Sequence, residues 1–490
     1  MMKKLLLSAA AALAASVILA QNPISPMGVY IADPSSRVGL DGKLYIYGSL
    51  DVTPGRYCSR DYHVLSSPDL KDWTLHRNSF TNDIDLYAPD MMYRDGTYYL
   101  YYDTPRGEEF VAVSDSPVGP FRGGVKIEGP TQIDPNIFID DDGQAYYFWG
   151  QFSAKGAKMN PDMKTLDMRT YVDGIVTEKD HAFHEGSYVV KRGGYYYFIY
   201  ADISRNSRPT CLGYSMATSP LGPYEYKGVI IDNTGCDPES WNNHGSIVQF
   251  GDDWYVLYHR STHGSRTMRK ACIEPITFNA DGTINEVEMT SQGAAGPLDA
   301  FSQIDAAKAC GMTGHTRIRR MEGRDDREEL GGIHGGDAAV WKYLDFGRGA
   351  RKVSLRVKSK LGGTILVRAD KADGKVLGRI KVPADTDWTV LSGRIKRLSG
   401  VHALWLEFDG VRAPEPEKPA APAPGGAPEW AAYAAAMASG TPQGDPSMPQ
   451  AAERRTPPPG AFGGGFPGMP GAVQAPDEYE LFCIDTFSFH

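Results

Sequence analysis

The sequence predicts an all-β protein, in which a five-bladed β-propeller is followed by a β-sandwich of the jelly-roll kind. Its 490 residues include 27 tyrosines and 54 glycines, a composition that favours β-structure rich in turns. Hairpin-like segments recur along the first part of the chain, and a different series of short strands follows them. A chain of this length exceeds one ordinary hydrophobic core, so two or more domains are expected.

The recurring segments each combine a tight turn with alternating aromatic and β-branched residues, which is the pattern of a hairpin's second strand. They read DGKLYIYGS (41–49), DGTYYLYYD (95–103), DGQAYYFWG (142–150), GGYYYFIYA (193–201) and DDWYVLYHR (252–260). A further strand that ends in a Ser-Pro turn and an aromatic follows at 64–74, 111–121 and 213–224. One unit is therefore about four strands long, and units unable to bury their own faces are typical of a propeller. Five units span residues 22–293; the alternative is a sandwich with coincidental tyrosines.

The repeat also locates one position in every unit. In a propeller the first strand of each blade lines the central channel, so the first residues of these strands meet at one mouth. Counting back nine residues from the second residue of each turn reaches that position. It holds Asp33, Tyr87, Asp134, Glu185 and His244.

These five residues point to acid–base chemistry only when they are taken together. An Asp before Pro often only caps a turn, and a lone buried His is usually just hydrogen-bonded. An ionisable group at the same position in four of five units is harder to explain structurally. Like charges in a cleft force pKa values apart. Two carboxyl groups with separated pKa values are what glycoside hydrolysis needs, because one protonates the leaving oxygen and the other activates water.

Short motifs around these positions resemble glycoside hydrolase family 43 over about residues 22–293. They are Asp-Pro in the first unit, YAPD in the second, IDPNIF in the third, EGSYV in the fourth and NHGSI in the fifth. The resemblance implies a five-bladed propeller and an inverting hydrolase that acts on arabinose- and xylose-containing glycans. Related five-bladed families with retaining chemistry on fructosides usually have Arg-Asp-Pro in the middle unit. The sequence QIDP at this place argues against that mechanism.

The resemblance also implies catalytic roles for the three carboxyl groups. Asp33 is similar to the family's general base and Glu185 to its general acid. Asp134 matches the residue that tunes the acid's pKa and holds it in place. Asp33 and Glu185 lie on non-adjacent blades, which suits the separation of about 6.5–9.5 Å that an inverting enzyme needs for its water.

Three further residues are implied to bind substrate or metal. Tyr87 matches an aromatic platform under the sugar, and an aromatic face suits the apolar side of a sugar ring. Arg269 matches an arginine that contacts the substrate from the fifth blade. His244 matches a channel histidine that in the family sometimes holds a central calcium through water. No cofactor is required, and a structural calcium stays open because no Asp-rich loop of the usual kind is present.

From about Pro297 the strand pattern changes to that of a sandwich domain, expected over 297–490. Its order resembles carbohydrate-binding module family 6 over about 297–411 and 477–490. Cys483 stands where these modules commonly place a sugar-binding asparagine. Trp388 is either a stacking platform for sugar or a core residue. Sugar binding and a purely structural role are both open for this domain.

Two segments of the second domain are expected to be solvent-exposed. Residues of about 412–476 are rich in Pro, Ala and Gly and predict a disordered loop inserted in the sandwich. The run RIRRMEGRDDREEL at 317–330 has alternating charge signs and predicts a solvated surface.

Residues 1–20 have two lysines, an apolar run and a small residue at their end, which predicts a secretory signal peptide. A transmembrane anchor is the alternative, disfavoured by the shortness of the run. The protein is therefore expected to be secreted, in the periplasm or outside the cell. The net charge of −9 disfavours nucleic acid and anionic membranes as partners.

The six cysteines are scattered without the spacing of a zinc site. We expect most of them to be buried free thiols, with an occasional bridge open. The oligomeric state cannot be read from the sequence.

Taken together, the sequence predicts a secreted, inverting glycoside hydrolase whose partner is an oligosaccharide or polysaccharide. It would release arabinose or xylose units from plant-type hemicellulose or pectin side chains, as an α-L-arabinofuranosidase or a β-xylosidase. The alternative is a glycan-binding propeller without catalytic activity.

Overall fold

The structure is a computed structural model that describes residues 18–19, 21–205, 208–414 and 477–490. Apart from a one-turn helix at Glu178–His181 and 3₁₀ turns at Gly293–Ala295 and Ala306–Lys308, its regular elements are strands. The all-β prediction is therefore confirmed. Most of the predicted signal peptide and of the predicted insert lies outside the described residues.

The propeller has five blades, as predicted, and one long strand joins the first two. Asp72–Arg94 is the outermost strand of blade one and, further along, the innermost strand of blade two. Ile18–Leu19 pairs with the outer edge of blade one. The remaining strands of blades one and two are Tyr30–Val38, Leu44–Asp51, Ser59–Ser67, Thr97–Asp103, Glu109–Ser114 and Arg122–Lys126.

Blades three and four have four strands each and blade five has three. The segment that precedes blade one supports blade five, because the Ile24 N–H donates to the Ala271 carbonyl oxygen at 2.9 Å. The strands are Asn136–Ile139, Ala145–Trp149, Ser153–Met159, Leu166–Thr177, Phe183–Arg192, Tyr195–Asp202, Cys211–Ala217, Glu225–Asp232, Ser246–Phe250, Asp253–Arg260 and Lys270–Ile276.

Packing between blades explains why aromatic residues fill both faces of a strand. In Tyr195–Asp202, Tyr197 and Ile199 pack toward blade five, whereas Phe198 and Tyr200 pack toward blade three. Successive side chains of a strand point to opposite faces, so both sets are buried. A cluster of buried hydrophobic residues fills each junction between neighbouring blades, including that between blades five and one.

The second domain is a sandwich of two sheets around a core that contains Trp341, Phe408 and Phe487. One sheet contains Leu298–Asp299, Gly311–Met312, Ala338–Asp345, Gly363–Ala369, Gly378–Val382 and Val401–Asp409. The other contains Ile304–Asp305, Arg317–Met321, Arg324–Gly331, Ala350–Ser359, Thr386–Leu398 and Phe482–Phe489.

The prediction of a solvated surface over 317–330 is wrong for the end of that run. Glu328 and Glu329 are only 1% and 4% exposed. They are buried because each has a basic partner, Lys270 of the propeller for Glu328 and Arg319 for Glu329. Alternating charge signs therefore reflect buried ion pairs here as well as solvent exposure.

The structure also bears on three smaller expectations, which concern Trp388, the cysteines and a membrane-spanning helix. Trp388 is partly exposed rather than a core residue, and the Arg356 guanidinium lies 4.6 Å from its ring centroid. All six cysteines lie within the described residues and are buried free thiols. Among the residues that the structure describes, no helix has the length and apolar character needed to span a bilayer.

Candidate active site

The first strands of the blades carry irregularities at the residues that counting had selected. The pairing register shifts between Ala32 and Ser35, between Tyr87 and Asp90, and around Glu185. Asp33 and Asp134 both adopt a positive φ, of 51° and 63°. Such bulges redirect a side chain out of the regular alternation, so the carboxyl groups face the mouth instead of a neighbouring blade.

Asp33 lies at the centre of a dense network and is 6% exposed. Its Oδ1 accepts from Arg269 Nη1 at 2.7 Å, and its Oδ2 accepts from the Ser49 hydroxyl at 2.6 Å. Burial alone would raise the pKa of the Asp33 carboxyl, but Arg269, His244, His259 and Ser49 together lower it to about 2. Asp33 is therefore ionised throughout the ordinary pH range, as a general base must be.

Arg269 lies behind Asp33 and is held by a second carboxylate. Asp51 accepts from Arg269 Nε at 2.9 Å and from Nη2 at 3.1 Å, a bidentate arrangement. Arg269 is 2% exposed, and the ring centroid of Tyr57 lies 4.9 Å from its guanidinium carbon. In the structure, Arg269 stabilises the ionised form of Asp33. A contact between Arg269 and substrate stays a prediction.

Glu185 is partly exposed, and two amide side chains orient its carboxyl group. Gln151 Nε2 donates to Oε2 at 2.9 Å, and Asn242 Nδ2 donates to Oε1 at 3.2 Å. These donors come from blade three and from the segment that enters blade five. The carboxyl group is therefore fixed at the mouth by two neutral donors, without a cationic partner among the described residues.

Asp134 contacts the strand that carries Glu185 rather than the Glu185 carboxyl group. Its Oδ2 accepts from the Gly186 N–H at 2.8 Å, and Gly186 directly follows Glu185. Burial, followed by the charges of Glu185, Asp103 and Asp33, raises the pKa of Asp134 well above its ordinary value. Asp134 is therefore placed both to position Glu185 and to respond to its charge.

Tyr87 and His244 lie at the same mouth. The backbone N–H of Ala88, the residue after Tyr87, donates to the Ser49 hydroxyl that holds Asp33, and the Tyr87 side chain is partly exposed. His244 Nδ1 lies 3.6 Å from Asp33 Oδ1, and the imidazole packs against Gly186 so closely that a Cβ there would lie 2.9 Å from it. The structure thus brings all five counted positions together, and their individual roles stay predictions.

Comparison with known proteins gives the family. Residues 20–284 match the model of glycosyl hydrolases family 43, and residues 305–414 match that of carbohydrate binding module family 6. The chain belongs to glycosyl hydrolase family 43. It is therefore a glycosidase, and both resemblances noted in the sequence are confirmed.

Two relatives of the family 43 enzyme cover most of its length. A xylosidase/arabinosidase of Thermoclostridium stercorarium is 32% identical over 463 residues, covering 79% of this chain and 96% of that protein. An arabinoxylan arabinofuranohydrolase of Bacillus subtilis (strain 168) is 27% identical over 458 residues, covering 78% and 88%. A solved structure of a family 43 arabinoxylan arabinofuranohydrolase from Bacillus subtilis, in complex with cellotetraose, matches with a TM-score of 0.48 and 23% identity. It covers 96% of this chain and 97% of that chain.

His259 is a site residue of the enzyme that the counting missed. Its Nδ1 accepts from the Asp33 backbone N–H at 3.2 Å, and its Nε2 lies 3.1 Å from the Asn242 carbonyl oxygen. Burial and the nearby Arg269 charge lower the pKa of His259 to about 3. The neutral ring therefore links Asp33 to Asn242, which in turn contacts Glu185. Its position near the end of a second strand, in YHR, gave no signal in a count of first strands.

Asp103 and Glu109 are buried carboxyl groups beneath Asp134 that the counting also missed. They face each other on paired strands and are fully buried. Asp103 Oδ1 accepts from the Asp134 backbone N–H at 3.3 Å, whereas the Glu109 carboxyl group has the Tyr147 hydroxyl as a polar neighbour and makes no hydrogen bond of good geometry to the described residues. Burial and the neighbouring carboxyl charges raise the pKa of both groups well above their ordinary values.

Glu109→Gln is expected to stabilise the enzyme more at pH 8 than at pH 5. A carboxyl group whose pKa is raised by folding contributes less to the free energy of unfolding as pH rises above its unfolded value, about 4. An amide does not titrate, so the variant escapes that loss and its advantage over the wild type grows as pH rises. Thermal unfolding at the two pH values measures the difference.

The matched control for this prediction is Glu108→Gln. Glu108 is the preceding residue, but its carboxylate is partly exposed and lies 3.0 Å from Lys126 Nζ. Its replacement should leave the pH dependence of the melting temperature unchanged. Equal pH dependence in wild type and Glu109→Gln would contradict a protonated Glu109 in the folded enzyme.

Proposed function

We propose that the enzyme is a secreted, inverting glycosidase that releases arabinose or xylose units from plant-type hemicellulose or pectin side chains. It would act as an α-L-arabinofuranosidase or a β-xylosidase. The observation that carries this proposal is the contrast between the two carboxyl groups at the mouth. Asp33 has a cationic partner that keeps it ionised, whereas Glu185 is held by two neutral amides. The names of the two relatives, a xylosidase/arabinosidase and an arabinoxylan arabinofuranohydrolase, support the choice of sugars.

In the proposed reaction, water attacks the anomeric carbon from the side of Asp33, and Asp33 takes the proton that the water loses. Glu185 gives its proton to the glycosidic oxygen as the bond to the anomeric carbon breaks. One proton is gained by Asp33 and one is lost by Glu185, and exchange with solvent restores both groups. Attack opposite to the leaving group inverts the configuration at the anomeric carbon.

A panel of aryl glycosides and plant polysaccharides tests this proposal, with the first-formed product anomer followed by NMR. We expect turnover of an aryl α-L-arabinofuranoside or an aryl β-D-xyloside, with an inverted product. A retained anomer would overturn the mechanism. Binding of arabino-oligosaccharide without turnover over days would instead support a glycan-binding propeller without catalytic activity.

Secretion is part of the same proposal. We propose that residues 1–20 direct export and are removed, so that the enzyme meets polymeric glycan outside the cytoplasm. Mass spectrometry of the protein recovered from the periplasm or medium of the producing cell tests this. A full-length N-terminus on an active intracellular protein would contradict it.

We further propose that hydrolysis needs no calcium at the hub. The predicted ligand His244 has Asp33 as its carboxylate neighbour, and that carboxylate already accepts from Arg269 and Ser49. Among the described residues, no group of three His, Cys, Asp or Glu side chains is arranged to hold a metal ion. The side chains at the hub therefore offer a calcium ion few direct ligands, and water would have to supply the others.

Removal of divalent ions should accordingly leave kcat/KM and the melting temperature unchanged. Enzyme dialysed against a chelator is compared with the same enzyme resupplied with calcium. A loss of activity that calcium restores and magnesium does not would contradict this expectation.

A further inference from the structure

A buried ion pair connects the sandwich domain to the strand that follows Arg269. Lys270 Nζ donates to Glu328 Oε2, and the two side chains are 3% and 1% exposed. Arg269 and Lys270 are consecutive residues whose side chains point to opposite sides, as neighbours in extended chain do. One side chain contacts Asp33 and Asp51, and the other contacts the second domain.

Tyr30 brings blade one into the same contact. It lies at the start of the strand whose bulge carries Asp33, and it is fully buried. Lys270 Nζ lies 5.3 Å from its ring centroid, and the guanidinium carbon of Arg320 lies 5.1 Å from it. Arg320 Nε also donates to the Tyr30 hydroxyl at 3.3 Å. Residues of the sandwich domain therefore contact both the first strand of blade one and the last strand of blade five.

The strands Arg317–Met321 and Arg324–Gly331 form a hairpin that we call the clasp hairpin. Its backbone is bonded to blade five, because His263 N–H donates to Ile318 C=O at 2.7 Å and Arg320 N–H donates to His263 Nε2 at 3.1 Å. It also approaches blade one closely, since a Cβ on Gly28 would lie 2.0 Å from the Asp325 carbonyl oxygen. The clasp hairpin thus covers the seam where the propeller ring closes.

We propose that the clasp hairpin positions the catalytic base, and that Glu328 is the residue through which it does so. Glu328 fixes Lys270, and Lys270 fixes the backbone from which Arg269 reaches Asp33. The sandwich domain is then part of the catalytic unit in addition to any sugar binding. This inference rests on the proposed role of Asp33 as the base.

The charged and titratable groups around Asp33 and around the Lys270–Glu328 pair determine what a variant changes. Asp33 faces Arg269, His244 and His259. The pair Lys270–Glu328 is surrounded by Tyr30, His263, Asp305, Lys308 and Arg320. Removing the Glu328 charge leaves Lys270 buried without its ion-pair partner, so the Lys270 side chain must move toward another partner or toward solvent. That movement displaces the start of the strand Lys270–Ile276, which directly follows Arg269.

The test compares full-length Glu328→Gln with Glu329→Gln, the matched control. Glu329 is buried on the same hairpin, but its partner Arg319 belongs to the sandwich domain. For Glu328→Gln we expect kcat at 25 °C to fall by about ten-fold or more with little change in KM, as for a small misplacement of a catalytic group. The acidic limb of the kcat/KM profile should move to higher pH, because Asp33 loses part of the Arg269 contact that keeps it ionised.

The double variant Lys270→Met with Glu328→Met leaves no unpaired buried charge and should therefore fold, but it lacks the Lys270–Glu328 contact, so its kcat should stay below that of the wild type and its acidic limb should shift as in Glu328→Gln. It also keeps the test decisive if Glu328→Gln folds poorly. A wild-type kcat and pH profile in this variant would overturn the proposal. A lower melting temperature with unchanged kcat and pH profile in Glu328→Gln would overturn the proposal, as would equal effects in Glu329→Gln. Absence of turnover in the wild type would instead refute the proposed function.

Discussion

Replacing Glu185 by Gln is expected to lower kcat/KM on natural glycans by about 10²–10⁴-fold, the usual contribution of a general acid. Gln cannot donate a proton to the glycosidic oxygen. It also has one acceptor oxygen where the carboxylate has two, so either Gln151 or Asn242 loses its partner. The loss should be much smaller for an aryl glycoside with a strongly acidic phenol, since such a leaving group departs without protonation. Initial rates on arabinoxylan oligosaccharide and on a series of aryl glycosides measure both effects.

Glu225→Gln serves as the control for that experiment. Glu225 is an exposed residue of blade four that pairs with Lys227 at 2.8 Å, and it lies outside the mouth. Its replacement should leave the rates unchanged on every substrate. If Glu185→Gln kept full activity on both aryl arabinoside and aryl xyloside, the acid would have to be another residue.

The propeller and its mouth could be predicted because the repeat is local. Each unit places a turn and an alternating strand at a fixed distance from the first residue of the blade, so counting from the turn glycines reached Asp33 and Glu185 without any tertiary information. The count also reached Asp134, although that residue and His244 lie just before their strands rather than within them. A regular strand spacing is therefore enough to predict which residues converge.

The partners of those residues could not be predicted, because they depend on contacts between distant parts of the chain. Asp51 and His259 lie at the ends of second strands, where no repeat position marks them. Glu328 belongs to a run whose alternating charges are typical of a solvated surface. It is buried because Lys270, in the other domain, offers it a partner. Pairing of this kind becomes visible only when the two domains are placed together.

The charge on Asp33 likewise depends on a contact with a distant part of the chain. The sequence predicts a carboxyl group at the mouth, but its charge is set by Arg269, which is 236 residues away along the chain. Arg269 in turn is neutralised by Asp51, so the site holds two carboxylates and one guanidinium in contact. Without Asp51, Asp33 would be the single carboxylate partner of Arg269 among the described residues, and water would compete with Asp33 for the guanidinium N–H groups.

Replacing Asp33 by Asn is therefore expected to abolish base catalysis while leaving the fold intact. Asp51 keeps both of its bonds to Arg269, and the amide oxygen can still accept from Arg269 Nη1. We expect kcat to fall by about 10²–10⁴-fold, as for loss of a general base. The reduction should persist on aryl glycosides with good leaving groups, in contrast to Glu185→Gln, because the attack of water is affected whichever group leaves.

Azide distinguishes loss of the base from general damage to the site. The anion is a nucleophile that needs no deprotonation, so it should restore turnover of an activated aryl glycoside by Asp33→Asn and yield a glycosyl azide of inverted configuration. Asp41→Asn, at the exposed turn of blade one, is the control and should neither lose activity nor respond to azide. A glycosyl azide of retained configuration would mean that a covalent intermediate forms on another carboxylate. In that case Asp33 would be the acid/base residue of a retaining enzyme, and inversion would have to be abandoned.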